Sequence, residues 1–87
     1  MTFMEENKNK IYVEVNAEFY PDGRLVPKEI IWENGKHYAI DKVIDSRRAS
    51  SLKAGGCGIR YTCRIMGGEH YLFYEENYRW FVEARHR

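Results

Sequence analysis

Arg47, Arg48, Lys53, Arg60, Arg64 and Arg79 share the second half of the chain with Tyr71, Phe73 and Tyr78. Guanidinium and ammonium groups hold phosphates, and aromatic faces stack on bases. Cations interleaved with aromatics are therefore the side chains that a single-stranded nucleic acid requires. Charge is unevenly placed: residues 1–45 carry nine acidic and six basic side chains, whereas residues 46–87 carry four acidic and eight basic ones. The net charge is nevertheless only +1, far below that of a dedicated polyanion binder. Cross-strand pairs such as Arg64 with Glu69, or Arg79 with Glu75, would reduce the same cations to an ordinary solvated face.

Other constellations point less clearly to chemistry. Cys57 and Cys63 have five residues between them, a spacing that suits neither a Cys-x-x-Cys redox pair nor the common zinc sites, and His37 or His70 adds only a scattered ligand set. No metal or cofactor is expected; Cys63 reads as a small core residue and Cys57 as a loop thiol. The run Ala54-Gly55-Gly56-Cys57-Gly58 could present amides to an anion, but it lacks the Lys-Ser/Thr ending and the following helix of a phosphate loop, so it reads as a connector. His37, Asp41 and Asp45 come nearest to a hydrolase constellation, yet each is more simply a surface polar group. A core this small also leaves little room for a substrate pocket. No enzyme is expected, and no small-molecule ligand is identifiable. Arg47-Arg48-Ala49-Ser50 fits a basic-directed phosphorylation pattern, one that short sequences match by chance.

The elements that would position these residues are strands. Ile11, Val13, Val15, Ala17 and Phe19 alternate with polar or exposed positions, and Ile59, Tyr61, Cys63 and Ile65 alternate with Arg60, Thr62 and Arg64. Pro21-Asp22-Gly23 supplies turn chemistry, and Asn34-Gly35 predicts a type I′ hairpin between a strand at 28–33 and a partner at 36–45. Alternation fails after Asp41, which predicts a bulge there. Residues 46–58 read as the longest loop, Gly67-Gly68 and Asn77-Tyr78 as turns, and Trp32 and Trp80 as sheet-packing residues. Periodic helical segments and internal repeats are absent from the sequence. The expected fold is all-β, a five- to six-stranded antiparallel meander closing into a small SH3-like or OB-like barrel. Residues 1–10 are expected to be a flexible terminus, and 11–87 a single small domain.

Eighty-seven residues of which 15% are aromatic and 31% charged describe one globular core with a strand-forming bias. No apolar run approaches the roughly 20 residues needed to span a bilayer, and residues 1–10 show no signal-peptide pattern. Two cysteines are too few for a disulfide scaffold, so a cytoplasmic protein with no membrane association is expected.

Pro27, Ile31-Trp32, Gly35, Tyr38, Ile40-Asp41-Lys42-Val43, Gly58-Ile59-Arg60-Tyr61, Tyr71-Leu72-Phe73 and Trp80-Phe81-Val82-Glu83 together resemble a compact bacterial domain family of unknown function. The resemblance implies a small β-barrel and carries over no activity. The residues themselves point first to a binding module for single-stranded nucleic acid or RNA. Candidate contacts are Arg47, Arg48, Lys53, Arg60, Arg64, Tyr71, Phe73, Tyr78 and Arg79. A protein-interaction or self-associating (dimeric) module, anchored by exposed Tyr12, Tyr20, Tyr71 or Phe73, is the second reading, and a small hydrolase the third.

Overall fold

Alternating apolar positions become strands wherever one face can be buried. The computed structural model, which describes residues 10–50 and 57–83, contains seven such strands. They are β1 (Lys10–Phe19), β2 (Leu25–Ile31), β3 (His37–Ala39), β4 (Lys42–Ser50), β5 (Cys57–Ile65), β6 (Gly68–Glu75) and β7 (Trp80–Glu83). All pairings are antiparallel, in the order β3-β2-β1-β7-β6-β5-β4, and there is no helix among the described residues.

There are seven strands and not five or six because the strand expected over 36–45 changes partner partway. Ile40 N–H donates to the Lys28 carbonyl at 2.9 Å, and Asp41 N–H donates to the Arg64 carbonyl at 2.8 Å. Within two residues the chain leaves β2 and joins β5. The break expected at Asp41 is this handover. The true register shift falls between Val43 and Asp45, where Ile44 is the extra residue of a bulge. Because β3 and β4 are consecutive in the chain, the handover joins the two ends of the strand order, and the sheet curls into a barrel-like shape. β1 is shared in the same way, its residues 10–13 pairing with β7 and 14–19 with β2. Lys10 therefore opens a strand and does not belong to a flexible terminus.

The concave side holds the core. Ile30, Tyr61, Cys63, Ile65 and Leu72 are buried there, with Trp32, Tyr38 and Trp80 packed against them. Tyr61 spans the interior, its hydroxyl donating to the Leu25 carbonyl at 2.6 Å and so tying β5 to β2. Burial pushes the Tyr61 hydroxyl pKa up and the Cys63 thiol up to about 11, so Cys63 is a packing residue with little thiolate character. Gly58 meets β6 so closely that a Cβ would lie 2.0 Å from the Tyr74 carbonyl oxygen, so only glycine fits.

Three hairpins share one loop geometry. In Tyr20–Arg24, Trp32–Lys36 and Glu75–Arg79 the first residue's N–H donates to the last carbonyl, and the fourth residue's N–H donates back to the first carbonyl. In each, the side-chain oxygen of the third residue (Asp22, Asn34 or Asn77) accepts the last residue's N–H. These are three-residue loops, so Asn34-Gly35 does not form the expected type I′ turn: Asn34 keeps a negative φ. The Gly67-Gly68 turn lies one residue earlier, at Met66-Gly67, where both φ values are positive (51° and 82°) and Gly68 already belongs to β6. The last loop residue is left-handed in all three hairpins, and it is Gly23, Gly35 and Tyr78, with φ of 95°, 87° and 69°. Tyr78 thus occupies a conformation that costs an L-residue about 1–2 kcal/mol. Tyr78→Gly is expected to raise stability by about 0.5–1 kcal/mol after the larger entropy of an unfolded glycine is counted, read as a higher urea midpoint. A lower midpoint would show that contacts of the tyrosine outweigh its backbone strain.

Candidate nucleic-acid interface

Strand register decides which of the arginines meet. On the convex face Arg47, Arg60, Phe73, Phe81 and Tyr12 stand directly opposite one another in a single row across β4, β5, β6, β7 and β1. The adjoining row holds Asp45, Thr62 and Tyr71. Arg47 and Arg60 face each other with like charge, an arrangement that disfavours pairing unless each finds another partner. Both do: the Arg47 Nε donates to Asp45 at 2.9 Å, and the Arg60 guanidinium lies 4.5 Å from the centre of the Tyr71 ring.

Phe73 and Phe81 make this face unusual. They stack 4.9 Å apart and nearly parallel, and although they point away from the main core they are only 3% and 1% exposed. Tyr71 meets Phe73 edge-on at 6.4 Å, and Tyr12 meets Phe81 edge-on at 6.0 Å. Four rings therefore run in contact from Tyr71 to Tyr12. Each end carries a guanidinium, Arg60 on Tyr71 and Arg79 on Tyr12 at 3.6 Å. The terminal tyrosines are 47% and 38% exposed, so the array is accessible at its two ends and covered in the middle.

An ion pair lies at that middle. Lys10 Nζ sits 4.8 Å from the Phe81 ring centre and bridges to the Glu75 carboxylate, which also accepts a 2.8 Å hydrogen bond from the Tyr12 hydroxyl. Burial alone would raise the Glu75 pKa, but the hydrogen bonds from Lys10 and Tyr12 outweigh it and hold the carboxyl below its ordinary range. Burial likewise acts to lower the Lys10 pKa, and the bond to Glu75 leaves it raised.

The structure divides the expected contact residues. Arg60, Tyr71 and Arg79 belong to the array. Arg64 lies on the same face but is paired with Glu69 at 3.7 Å, as the cross-strand reading had it. Arg79 does not pair with Glu75, whose carboxylate is taken by Lys10 and Tyr12, and stacks on Tyr12 instead. Arg47 and Arg48 are on β4 and not in a loop. Arg48 shares the side of β4 opposite Ile59, away from Arg60, and pairs with Glu76 at 3.1 Å. Phe73 cannot be an exposed contact, because its face is spent on Phe81. Tyr78, 81% exposed, leans toward Tyr74 on the concave side and lines a different cleft. Lys53, the glycine run through Gly56 and the side chain of Cys57 lie outside the described residues.

Lys10, Glu75 and Phe81 were not among the expected contacts, and Tyr12 was expected only as an anchor for a protein partner. A signal for Phe81 existed in the runs Tyr71-Leu72-Phe73-Tyr74 and Trp80-Phe81-Val82, where apolar residues do not alternate and both faces must therefore be covered; Lys10 and Glu75 carried none. Comparison with protein-family models, with curated proteins and with solved structures finds no match.

Because Glu75 is held below its ordinary value of 4.5, its contribution to stability is complete above that pH and is lost as pH falls through the folded-state value. Glu75→Gln should lower stability at pH 7 by about 1–3 kcal/mol, since it leaves Lys10 unpaired, and should flatten the acid limb of a pH–Tm profile. Asp22 and Glu29, also lowered by their hydrogen bonds to Arg24 and to Asn16, will preserve a smaller residual slope. Equal acid slopes in the two proteins would contradict the assignment.

Proposed function

We propose that this domain is a small binding module of SH3-like or OB-like barrel form, and that its convex face takes single-stranded nucleic acid. The observation that carries the reading is the ring array Tyr71–Phe73–Phe81–Tyr12 with a guanidinium on each end. Exposed rings offer stacking surfaces for bases, and an arginine beside each is placed to take a phosphate. The Arg60 Nε is out of water and has no hydrogen-bond partner, so a guanidinium that swings from Tyr71 onto a phosphate gains a bond it lacks.

The same face sets the strength of binding. On it Arg47 and Arg64 are neutralised by Asp45 and Glu69, whereas Arg60, Arg79 and Lys42 make no ion pair among the described residues. Two or three phosphate contacts imply a shallow salt dependence, with log K falling against log salt at a slope of about −2. Affinity should then be modest and owe more to stacking than to charge.

Fluorescence anisotropy with a labelled pyrimidine oligonucleotide tests this. Arg60→Ala and Tyr71→Ala are each expected to weaken binding by about tenfold, in line with the loss of one stacked base, while Arg48→Ala leaves it within about twofold. Absence of binding at low salt and high protein concentration, or equal loss in all three variants, would overturn the reading.

A further inference from the structure

β4 is an edge strand, and from Lys42 to Ser50 no described strand pairs with its second edge. Free edges of this length invite pairing with another chain, and natural sheets guard them with charge and bulges. Here the bulge at Ile44 and the charges Asp45, Arg47 and Arg48 are present, but Asp45 and Arg47 are opposite in sign. Asp45 and Arg47 stand on one face, as their 2.9 Å ion pair shows. We infer that this edge pairs antiparallel with β4 of a second copy, about a two-fold axis at Ser46.

Register selects that axis. Residues directly opposite in an antiparallel pair share a face, so a two-fold axis must pass through a residue and not between two. Placed at Asp45 it sets carboxylate against carboxylate; placed at Arg47 it sets guanidinium against guanidinium. Placed at Ser46 it sets Asp45 of each copy against Arg47 of the other, twice over by symmetry. The same register lays the aliphatic stem of Arg48 of each copy over the exposed Ile44 of the other.

What the added strand would cover also fits. The edge borders an open cleft of about 990 Å³ between β2 and β4, and Ile44, Asp45 and Ser46 line it together with Phe19 and Tyr78, two of the most exposed apolar side chains among the described residues. Tyr78 is held there in a left-handed conformation that its two sister loops give to glycine. Strain kept at an exposed aromatic beside an apolar cleft is the pattern of a contact residue. Pairing of this kind does not depend on nucleic-acid binding.

Sedimentation velocity over a wide concentration range tests it by charge exchange. The native chain is expected to pass from one copy to two. Asp45→Arg and Arg47→Asp should each weaken self-association at least about tenfold, because each sets like charges opposite one another. Mixing the two variants should restore a mixed pair, since the two cationic side chains of one variant then face the two carboxylates of the other, and the doubly exchanged chain should recover self-pairing. Circular dichroism of each variant checks that it is folded. A native chain that stays single at every concentration overturns the inference, as does association unchanged by the single exchanges, or a mixture of folded variants that fails to pair.

Discussion

Two aromatic pairs, one on each face of the sheet, hold β6 to β7, and the rest of the molecule hangs on that junction. The residues paired there are Phe73 with Phe81 and Tyr74 with Trp80, so the backbone ladder is short. On the concave face Tyr74 and Trp80 lie 4.5 Å apart, and on the convex face Phe73 and Phe81 lie 4.9 Å apart. β4, β5 and β6 reach β7, β1 and β2 through this waist on one side and through the Ile40–Asp41 handover on the other. Aromatic pairs add about 0.5–1.5 kcal/mol each beyond the area they bury, which is the scale of what a few missing ladder bonds would cost.

The convex pair has an electrostatic consequence. Antiparallel sheets commonly leave one face wet, and a dry pair on that face needs neighbours able to cover it without being stranded. Lys10 does so with its stem and ammonium over Phe81, and it needs Glu75 to carry the charge into a nearly closed site. Tyr12 closes the arrangement with one hydroxyl hydrogen bond and one edge-on ring contact. The exposed rings at either end are left to the two guanidinium groups that are free of carboxylates. Structural demand at the waist and binding capacity at its margins are therefore properties of one set of contacts.

Much of this was legible in the residues. Clean alternation in 11–19 and 59–65 placed two strands and the core role of Cys63, and the Asp-Gly and Asn-Gly signals placed two hairpins. The break at Asp41 was visible as a lost period, but not its meaning, because a change of strand partner is a long-range event with no local signature. β4 was hidden for a different reason: a strand with one free edge and arginines on both faces carries the composition of a loop. The array was half legible. Arg60, Tyr71 and Arg79 could be named as chemistry, while their union with Tyr12 depends on a β1–β7 pairing between residues nearly seventy positions apart. Phe73 was misjudged because it was taken as an exposed ring, whereas Phe81 covers it.

The claim on which everything else rests is that Phe73 and Phe81 form a dry stack on the convex face beneath Lys10. Nuclear Overhauser contacts in the native chain measure it directly. Cross-peaks are expected between the two phenylalanine rings, and between the Phe81 ring and the side-chain methylenes of Lys10, with those methylene protons shifted upfield by the ring. Phenylalanine rings without mutual contacts, and Lys10 protons at the shifts of an unstructured lysine, would contradict it.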